Sequence, residues 1–244
     1  MDATAELRSG KPIPARDRLI VALDVASAGE ARALVATLGD VVTFYKLGLE
    51  LFMRPGYFEL VEWLGGQGKQ VFVDLKFFDV PETVRGAVRG LRGRGIAFAT
   101  VHGNQAILEA AGAEKGEVKI LAVTVLTSLD RGDLDDLGFQ CEVGALVLSR
   151  ARRALAAGCD GVISSGLEAP MLKRELGERI LVVTPGIRPV ENRPADDQKR
   201  TVDVAQAFAN GADYIVVGRP IRAAPDPRAA AEAIQSTIAA SFPR

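Results

Sequence analysis

The segment Val71–Pro81, VFVDLKFFDVP, decides the fold of this chain. It begins as an apolar, β-branched run typical of a buried strand and ends in charged residues. Because side chains alternate along a strand, Asp74 and Lys76 are expected to point the same way at the strand's end, with Asp79 in the following loop. Two carboxylates around one ammonium at the mouth of a packed sheet would be costly unless their charges compensate one another and serve some chemistry.

Similar short, β-branched runs recur along the rest of the chain, and each is followed by an Ala- and Leu-rich helical stretch. This is the pattern of βα units around a parallel sheet. Eight strands are predicted, at 18–24, 41–47, 69–76, 96–102, 119–126, 160–164, 180–184 and 213–218. Eight units in 244 residues predict an α/β protein, a TIM (β/α)8 barrel forming a single domain over 18–244 behind a loose N-terminal extension, 1–17. An open doubly wound sheet is the alternative, but a G-x-G-x-x-G turn does not follow the first strand.

Composition excludes several functional classes. The chain has 30 basic and 31 acidic residues and a net charge of -1, so no overall field favours nucleic acid or an anionic membrane. No apolar run approaches the roughly 18 residues that would span a bilayer. The two cysteines, Cys141 and Cys159, lack metal-ligand or redox spacing and indicate reduced thiols. These features predict a cytoplasmic protein without a nucleic-acid or membrane partner.

Polar residues recur where the predicted strands end, which in a TIM barrel is the catalytic end. Asp24 ends strand one, Lys46 shares a strand face with the inward-facing Phe44, and Asp74 and Lys76 end strand three. We expect these four alternating charges to share one small space, with each lysine kept protonated by neighbouring carboxylates. A structural salt-bridge network is the alternative for any one of them. Asp79, three residues before Glu82, could instead be a helix N-cap.

A phosphate site is predicted at the other end of the chain. Gly218-Arg219 follows strand eight and Pro185–Arg188 follows strand seven, where barrels commonly bind phosphate through backbone N–H groups and an arginine fork. Gln198 lies in the long 184–200 connection and could bond the same phosphate; that connection and 127–141 are candidate closing loops. The single histidine, His102, is predicted to be a hydrogen-bonded structural residue, and Arg150, Arg152 and Arg153 to be solvated.

Taken together, these motifs closely resemble the orotidine 5'-phosphate decarboxylases, in their compact bacterial form. The resemblance runs from about Arg18 to the C-terminal helix, and it is carried by Leu23-Asp24, Lys46-Leu47-Gly48, Asp74–Pro81 with its D-x-K-x-x-D pattern, Leu126-Thr127-Ser128, Thr184–Arg188 and Gly218-Arg219-Pro220. The D-x-K-x-x-D pattern is shared by a wider group of phosphate-binding barrels, whereas the whole set is specific. Small departures occur at His102–Gln105 and at Val80, where the family usually has isoleucine.

The resemblance implies a homodimeric TIM barrel that converts orotidine 5'-monophosphate to UMP and CO2 without a metal or organic cofactor. It assigns Lys76 as proton donor, Asp74 to the scissile carboxylate, and Asp24 and Lys46 to the ribose hydroxyls. The remaining roles implied are as follows: Asp79 and Thr83 in the partner's site, Thr127 and Ser128 at the pyrimidine, Pro185 in the closed loop, Gln198, Gly218 and Arg219 at the phosphate, and Arg188 as a helper there.

Two other hypotheses remain open from the sequence. One is a magnesium-dependent sugar-phosphate decarboxylase or aldolase that uses the same D-x-K-x-x-D pattern to hold a hard cation. The Lys46 ammonium beside Asp74 opposes this reading, because a fixed positive charge repels a dication. The other is a nucleotide-binding module that keeps the phosphate site without turnover, against which the complete set of charges argues.

Overall fold

Eight parallel strands close into a barrel in the computed structural model, which describes residues 7–188 and 200–243. The strands are β1 Leu19–Ala22, β2 Phe44–Gly48, β3 Gln70–Phe77, β4 Ile96–Val101, β5 Lys119–Val123, β6 Gly161–Ile163, β7 Leu181–Thr184 and β8 Tyr214–Val217. Each strand pairs with its neighbours in sequence, and β8 pairs with β1. The predicted TIM barrel is confirmed. Seven of the strands are shorter than predicted, and β3 keeps its predicted length with its bounds shifted by one residue.

Helices of the described residues alternate with these strands as the periodicity predicts. They are α1 Ala28–Leu38, α2 Leu49–Phe52, α3 Tyr57–Gly66, α4 Pro81–Arg89, α5 Gln105–Glu114, α6 Arg131–Asp136, α7 Val143–Ala156, α8 Ala169–Leu176, α9 Val204–Ala209, α10 Arg219–Arg222 and α11 Pro227–Ser241. The short helices α2, α6 and α10 follow β2, β5 and β8 at the catalytic end. They were not predicted, since one turn of helix carries too few residues for a periodic signal.

The apolar residues form an outer core between strands and helices and an inner core inside the barrel. The inner core consists of Ile20, Ala22, Phe44, Phe72, Phe98, Leu121, Leu181, Val183, Tyr214 and Val216. Phe98 lies at its centre, with ring centroids 5.0 Å from Phe44 and 5.1 Å from Tyr214. This packed layer closes the barrel from below, so a ligand can enter only from the carboxyl ends of the strands.

Strand alternation places a polar layer directly above the inner core. Two residues after inward-facing Ala22, Phe44, Phe72 and Phe98 come Asp24, Lys46, Asp74 and Thr100. Because the side-chain period of a strand is two, these side chains point into the same space one layer higher. The predicted inward orientation of Lys46 and Asp74 follows from this arrangement.

The N-terminal segment is packed against the base of the barrel from residue 7 onward. Lys11 Nζ lies 2.7 Å from Glu178 Oε2 and 3.2 Å from Asp213 Oδ1, and the Ser9 hydroxyl donates to the same buried Asp213. Lys173 also pairs with Asp213 at 3.2 Å. The expectation of a loose extension is therefore wrong for residues 7–17, because the buried Asp213 carboxylate is paired by Lys11 and hydrogen-bonded by Ser9 of this segment.

The structure also bears on the predictions for Arg150, for His102 and for a membrane-spanning segment. Arg150 is half-buried, donates to the Thr124 carbonyl and lies 5.3 Å from the Phe139 ring, so it is not simply solvated. His102 packs its ring edge-on against Phe78, and within the described residues its Nδ1 lacks a hydrogen-bond partner, so the predicted hydrogen-bonded role is wrong at that atom. None of the described helices is long and apolar enough to cross a membrane.

Candidate active site

The four predicted charges meet at the top of the barrel and form an alternating network, here called the charged tetrad (Asp24, Lys46, Asp74 and Lys76). Lys46 Nζ lies 3.0 Å from Asp24 Oδ1 and 3.4 Å from Asp74 Oδ2, and Lys76 Nζ lies 2.9 Å from Asp74 Oδ1. Asp74 is thus held by one ammonium on each oxygen. The Lys46 and Asp74 side chains are only 11% and 13% exposed, so solvent screens these contacts weakly.

Burial and charge act in opposite directions on the two central groups. Burial opposes ionisation of Asp74, yet the charges of Lys46 and Lys76 outweigh it and hold the pKa of this carboxyl below its ordinary value. Burial also favours a neutral Lys46, but Asp74 and Asp24 hold the pKa of that ammonium above its ordinary value. Both groups therefore stay charged at neutral pH, which fixes a strong local field inside the cavity.

A break in the ladder between β3 and β4 presents Lys76 to the cavity. Val73 pairs with Ala99 and Phe77 with Val101, so three residues of β3 lie opposite Thr100 alone. Within this bulge Lys76 has φ 50°, the one positive φ among described non-glycine residues. A left-handed lysine costs on the order of 1–3 kcal/mol, and such strain persists only where surrounding contacts impose it. The β3–β4 hydrogen-bond ladder is thus interrupted at Lys76, the residue for which the predicted chemistry requires a particular side-chain position.

A cavity of about 260 Å³ opens above the tetrad. Its lining includes ten of the predicted site residues, namely Asp24, Lys46, Asp74, Lys76, Thr127, Ser128, Pro185, Arg188, Gly218 and Arg219. Thr127 and Ser128 lie in the connection between β5 and α6, opposite the tetrad side of the barrel in strand order. The structure therefore brings together residues that span nearly 200 positions of sequence, because every βα connection emerges at the same end of the barrel.

The β7–β8 side of this cavity is rich in arginine. Arg188 follows β7 and is buried, with its Nη1 donating to the Ile187 carbonyl at 2.9 Å. Arg219 begins α10 directly after β8, and Arg222 ends the same short helix. All three line the cavity together with Gly186, whose φ of 76° suits glycine. Their guanidinium groups make this side of the cavity suited to bind an anionic group such as a phosphate.

Two predicted site residues lie away from this cavity, and a third falls outside the described residues. Asp79 and Thr83 are exposed and lie outside the described lining of their own chain's cavity. Asp79 is not the N-cap of α4: that helix begins at Pro81 after Val80, and Asp79 Oδ1 accepts from the Val80 N–H at 2.6 Å. The cap hypothesis is wrong because the helix begins one residue later than it requires. Gln198 falls outside the described residues.

The sequence did not point to two polar residues that contact or line the site. Thr100 lies on β4 two positions after Phe98, and the same alternation that found Lys46 would have found it. The polar residue that stands out on β4 in the sequence is instead His102, at the strand's end. Arg222 lies one helical turn after Arg219 in a helix too short to predict, so its position beside the cavity had no clear sequence signal.

Gly48 is required beside the tetrad for steric reasons. A Cβ at this position would lie 3.0 Å from Lys46 Nζ and 3.1 Å from Asp24 Oδ1, between two charged groups that are themselves paired. Either the ion pair lengthens or the strand shifts. Because small displacements in a preorganised site are costly, we expect Gly48→Ala to lower kcat/KM about tenfold in the assay described below.

The matched control is Gly65→Ala in α3, where an added Cβ meets nothing within 4 Å. That variant should keep wild-type kinetics and be at least as stable, since alanine favours a helix over glycine. Equal kinetic effects of the two substitutions, with thermal unfolding followed in parallel, would contradict the steric argument for Gly48.

A closed parallel barrel whose charged cavity lies at the carboxyl ends of its strands defines the class of this protein, a TIM-barrel enzyme. Comparison with known proteins specifies it further. The model of the "Orotidine 5'-phosphate decarboxylase / HUMPS family" matches residues 17–234, and the chain belongs to this family. The predicted resemblance and the prediction of an enzyme are both confirmed.

Individual relatives agree with the family match. The chain is 68% identical over 230 residues, 94% of this chain and 95% of the relative, to an orotidine 5'-phosphate decarboxylase of Methylococcus capsulatus. It is 53% identical over 232 residues, again 94% and 95%, to one of Xanthomonas campestris pv. campestris. The crystal structure of orotidine 5'-phosphate decarboxylase from Lactobacillus acidophilus superposes with a TM-score of 0.79 at 36% identity, covering 91% of this chain and 99% of that one.

Proposed function

We propose that this enzyme decarboxylates orotidine 5'-monophosphate to UMP and CO2 without a cofactor, the last step of UMP synthesis. The observation that carries the proposal is the charged tetrad, in which Asp74 is held ionised between Lys46 and Lys76 at the floor of the cavity. The name shared by the M. capsulatus and X. campestris relatives supports the choice of substrate.

The reaction breaks the bond between pyrimidine C6 and the carboxylate, and the electron pair stays on C6 as CO2 leaves. That lone pair lies in the ring plane, outside the π system, so ring resonance cannot disperse it. Lys76 supplies the missing stabilisation as a fixed positive charge, then donates its Nζ proton to C6 and regains one from solvent. Asp74 pairs with Lys76 at 2.9 Å and faces the departing carboxylate, which the charge of Asp74 destabilises.

One lysine is not enough for such a step. Very slow uncatalysed reactions need barrier reductions of about 20 kcal/mol, whereas one preorganised electrostatic donor supplies about 3–4 kcal/mol. Binding energy from remote parts of the substrate supplies more of the difference. In this proposal Asp24 and Lys46 bind the ribose hydroxyls, and the 5'-phosphate lies among Arg188, Arg219 and the backbone of Gly218.

The pyrimidine occupies the opposite side of the cavity. Thr127, buried in the middle of the β5–α6 connection, and Ser128 beside it supply hydroxyl groups for the ring's polar edge. Pro185 covers the ligand from the β7 side, and Gln198 joins the phosphate contacts. The cavity then holds a nucleoside monophosphate with its charged ends separated, the carboxylate at the tetrad and the phosphate at the arginines.

We further propose that the enzyme is a cytoplasmic homodimer in which Asp79 and Thr83 reach the partner's cavity. Phe78 and Val80, on either side of Asp79, are 68% and 63% exposed. Leu49 and Met53, in and after α2, are also exposed at 61% and 73%, at the end of the neighbouring strand. Apolar side chains this exposed favour a protein interface. The Asp79 carboxylate lies among them and would therefore contact the partner subunit.

A magnesium-dependent sugar-phosphate enzyme would need the carboxylates of D-x-K-x-x-D as oxygen ligands. Here both oxygens of Asp74 lie against ammonium groups, Oδ1 at 2.9 Å from Lys76 and Oδ2 at 3.4 Å from Lys46. A dication at Asp74 would have to displace one lysine and approach the other. The geometry therefore favours the decarboxylase over this alternative.

The deciding experiment incubates purified enzyme with orotidine 5'-monophosphate, with and without EDTA, and measures UMP by chromatography. We expect UMP to form at the same rate in both. Loss of UMP formation on chelation, restored by added Mg²⁺, would favour the metal enzyme. Tight UMP binding by calorimetry without any turnover would favour a non-catalytic binding module.

A further inference from the structure

Among the described residues, Thr100 is the one whose uncharged side chain hydrogen-bonds to both Asp74 and Lys76. Its Oγ1 accepts from the Lys76 backbone N–H at 2.9 Å and lies 2.9 Å from Asp74 Oδ1. Thr100 is fully buried on β4 and does not belong to the cavity lining, so its contacts are with the tetrad and not with the ligand space. Its contacts are therefore with the groups that act on substrate.

Donor and acceptor chemistry fixes the direction of both bonds. A backbone N–H can only donate, so the Thr100 oxygen must accept from Lys76. The single hydroxyl proton is then directed to Asp74, whose ionised carboxylate can only accept. The same Asp74 Oδ1 also receives the Lys76 ammonium at 2.9 Å. The three residues thus close a ring of bonds, from Lys76 N through Thr100 and Asp74 back to Lys76 Nζ.

This ring lies at the break in the β3–β4 ladder. A regular pairing would give the Lys76 N–H a carbonyl partner on β4, but the ladder is interrupted between Val73 and Phe77. The Thr100 side chain takes the place of that carbonyl. It thereby satisfies a donor that would otherwise lack a partner where Lys76 adopts φ 50°.

We propose that Thr100 is a positioning residue for the decarboxylation: its hydroxyl holds Lys76 in its left-handed backbone conformation and fixes the Asp74 carboxylate toward the substrate. The expected effect on kcat rests on the proposed function, whereas the expected effect on the positions of Lys76 and Asp74 rests on geometry alone. Thr100 acts through Lys76 and Asp74 rather than on the substrate.

The test compares Thr100→Val, which keeps the shape and removes the hydroxyl, with Thr100→Ser, which keeps the hydroxyl. A hydrogen bond to a charged group typically contributes an effect of roughly 10- to 100-fold, so we expect T100V to lose kcat within that range. KM and the Kd for UMP should change less than about threefold, and T100S should stay within about threefold of wild type. If T100V is insoluble, Thr100→Ala removes the same hydroxyl without adding volume.

Thr124→Val is the matched control, because Thr124 is also a fully buried threonine at a strand end, and its hydroxyl bonds to the Ile163 carbonyl at 2.8 Å instead of to the tetrad. It should keep wild-type kcat. Unchanged kcat in T100V, equal losses in T100V and T124V, or a T100V defect confined to KM would each overturn the inference.

A crystal structure of T100V gives a readout independent of turnover. We expect the Lys76 φ to leave the left-handed region, or the Asp74 carboxylate to rotate away from Lys76, when the hydroxyl is gone. Unchanged positions of both groups would overturn the positioning role. If the wild-type enzyme has no activity, the proposed function is refuted. The crystal structure of T100V then still decides whether Thr100 positions Lys76 and Asp74.

Discussion

Replacing Lys76 with alanine is expected to lower kcat by at least about 10³-fold while leaving UMP binding within about tenfold of wild type. Two contributions disappear together. In the proposed mechanism, one is the fixed charge 2.9 Å from Asp74 that stabilises the carbanion, and the other is the proton delivered to C6. The phosphate and ribose contacts proposed above involve other residues of the cavity lining, so ground-state binding is expected largely to survive. Steady-state kinetics and calorimetry with UMP measure the two quantities.

Lys119→Ala is the control for Lys76→Ala, because Lys119 is an exposed lysine at the start of β5, remote from the cavity end. Lys76→Arg separates the two contributions further. An arginine keeps the positive charge but does not give up a proton at neutral pH, so it should also be strongly impaired. Turnover near wild type in K76A would show that the tetrad lysine is not the proton donor.

Mixing two inactive variants is expected to restore activity. In a dimer that shares its sites, one protomer supplies Lys76 and its partner supplies Asp79. A heterodimer of Lys76→Ala and Asp79→Ala therefore has one site with both substitutions and one with neither. Random assortment of equal amounts gives half heterodimers, and hence about one quarter of wild-type activity from preparations that are each nearly inactive. The placement of Asp79 outside its own cavity and between exposed Phe78 and Val80 motivates this expectation.

The control for this experiment pairs Lys76→Ala with Asp74→Ala, since both residues belong to the same chain's tetrad. That heterodimer has one damaged residue in each site and should stay inactive. Tagged subunits and native mass spectrometry verify that heterodimers form. Verified heterodimers without recovered activity would show that Asp79 serves its own chain, and a monomeric enzyme would refute the dimer proposal as well.

The success of the sequence predictions at β2 and β3 has a simple cause. Lys46 and Asp74 follow Phe44 and Phe72 by two residues, and a strand's period of two is a local property that the sequence carries directly. The wrong prediction that Asp79 is the N-cap of α4 also has a local cause. A cap hypothesis depends on the helix beginning at a particular residue, and α4 begins at Pro81, one position too late.

The sequence by itself determined the eight-stranded barrel, the charged ends of β1, β2 and β3, and the family, because repeated periodicity and motif spacing are properties of the chain read in order. Only the tertiary structure decided how these groups meet. The left-handed φ of Lys76, the place of Thr100 in the tetrad's hydrogen bonds and the packing of residues 7–17 on Asp213 all depend on contacts between distant segments. Such contacts arise from strand register and closure of the barrel, which no single stretch of sequence specifies.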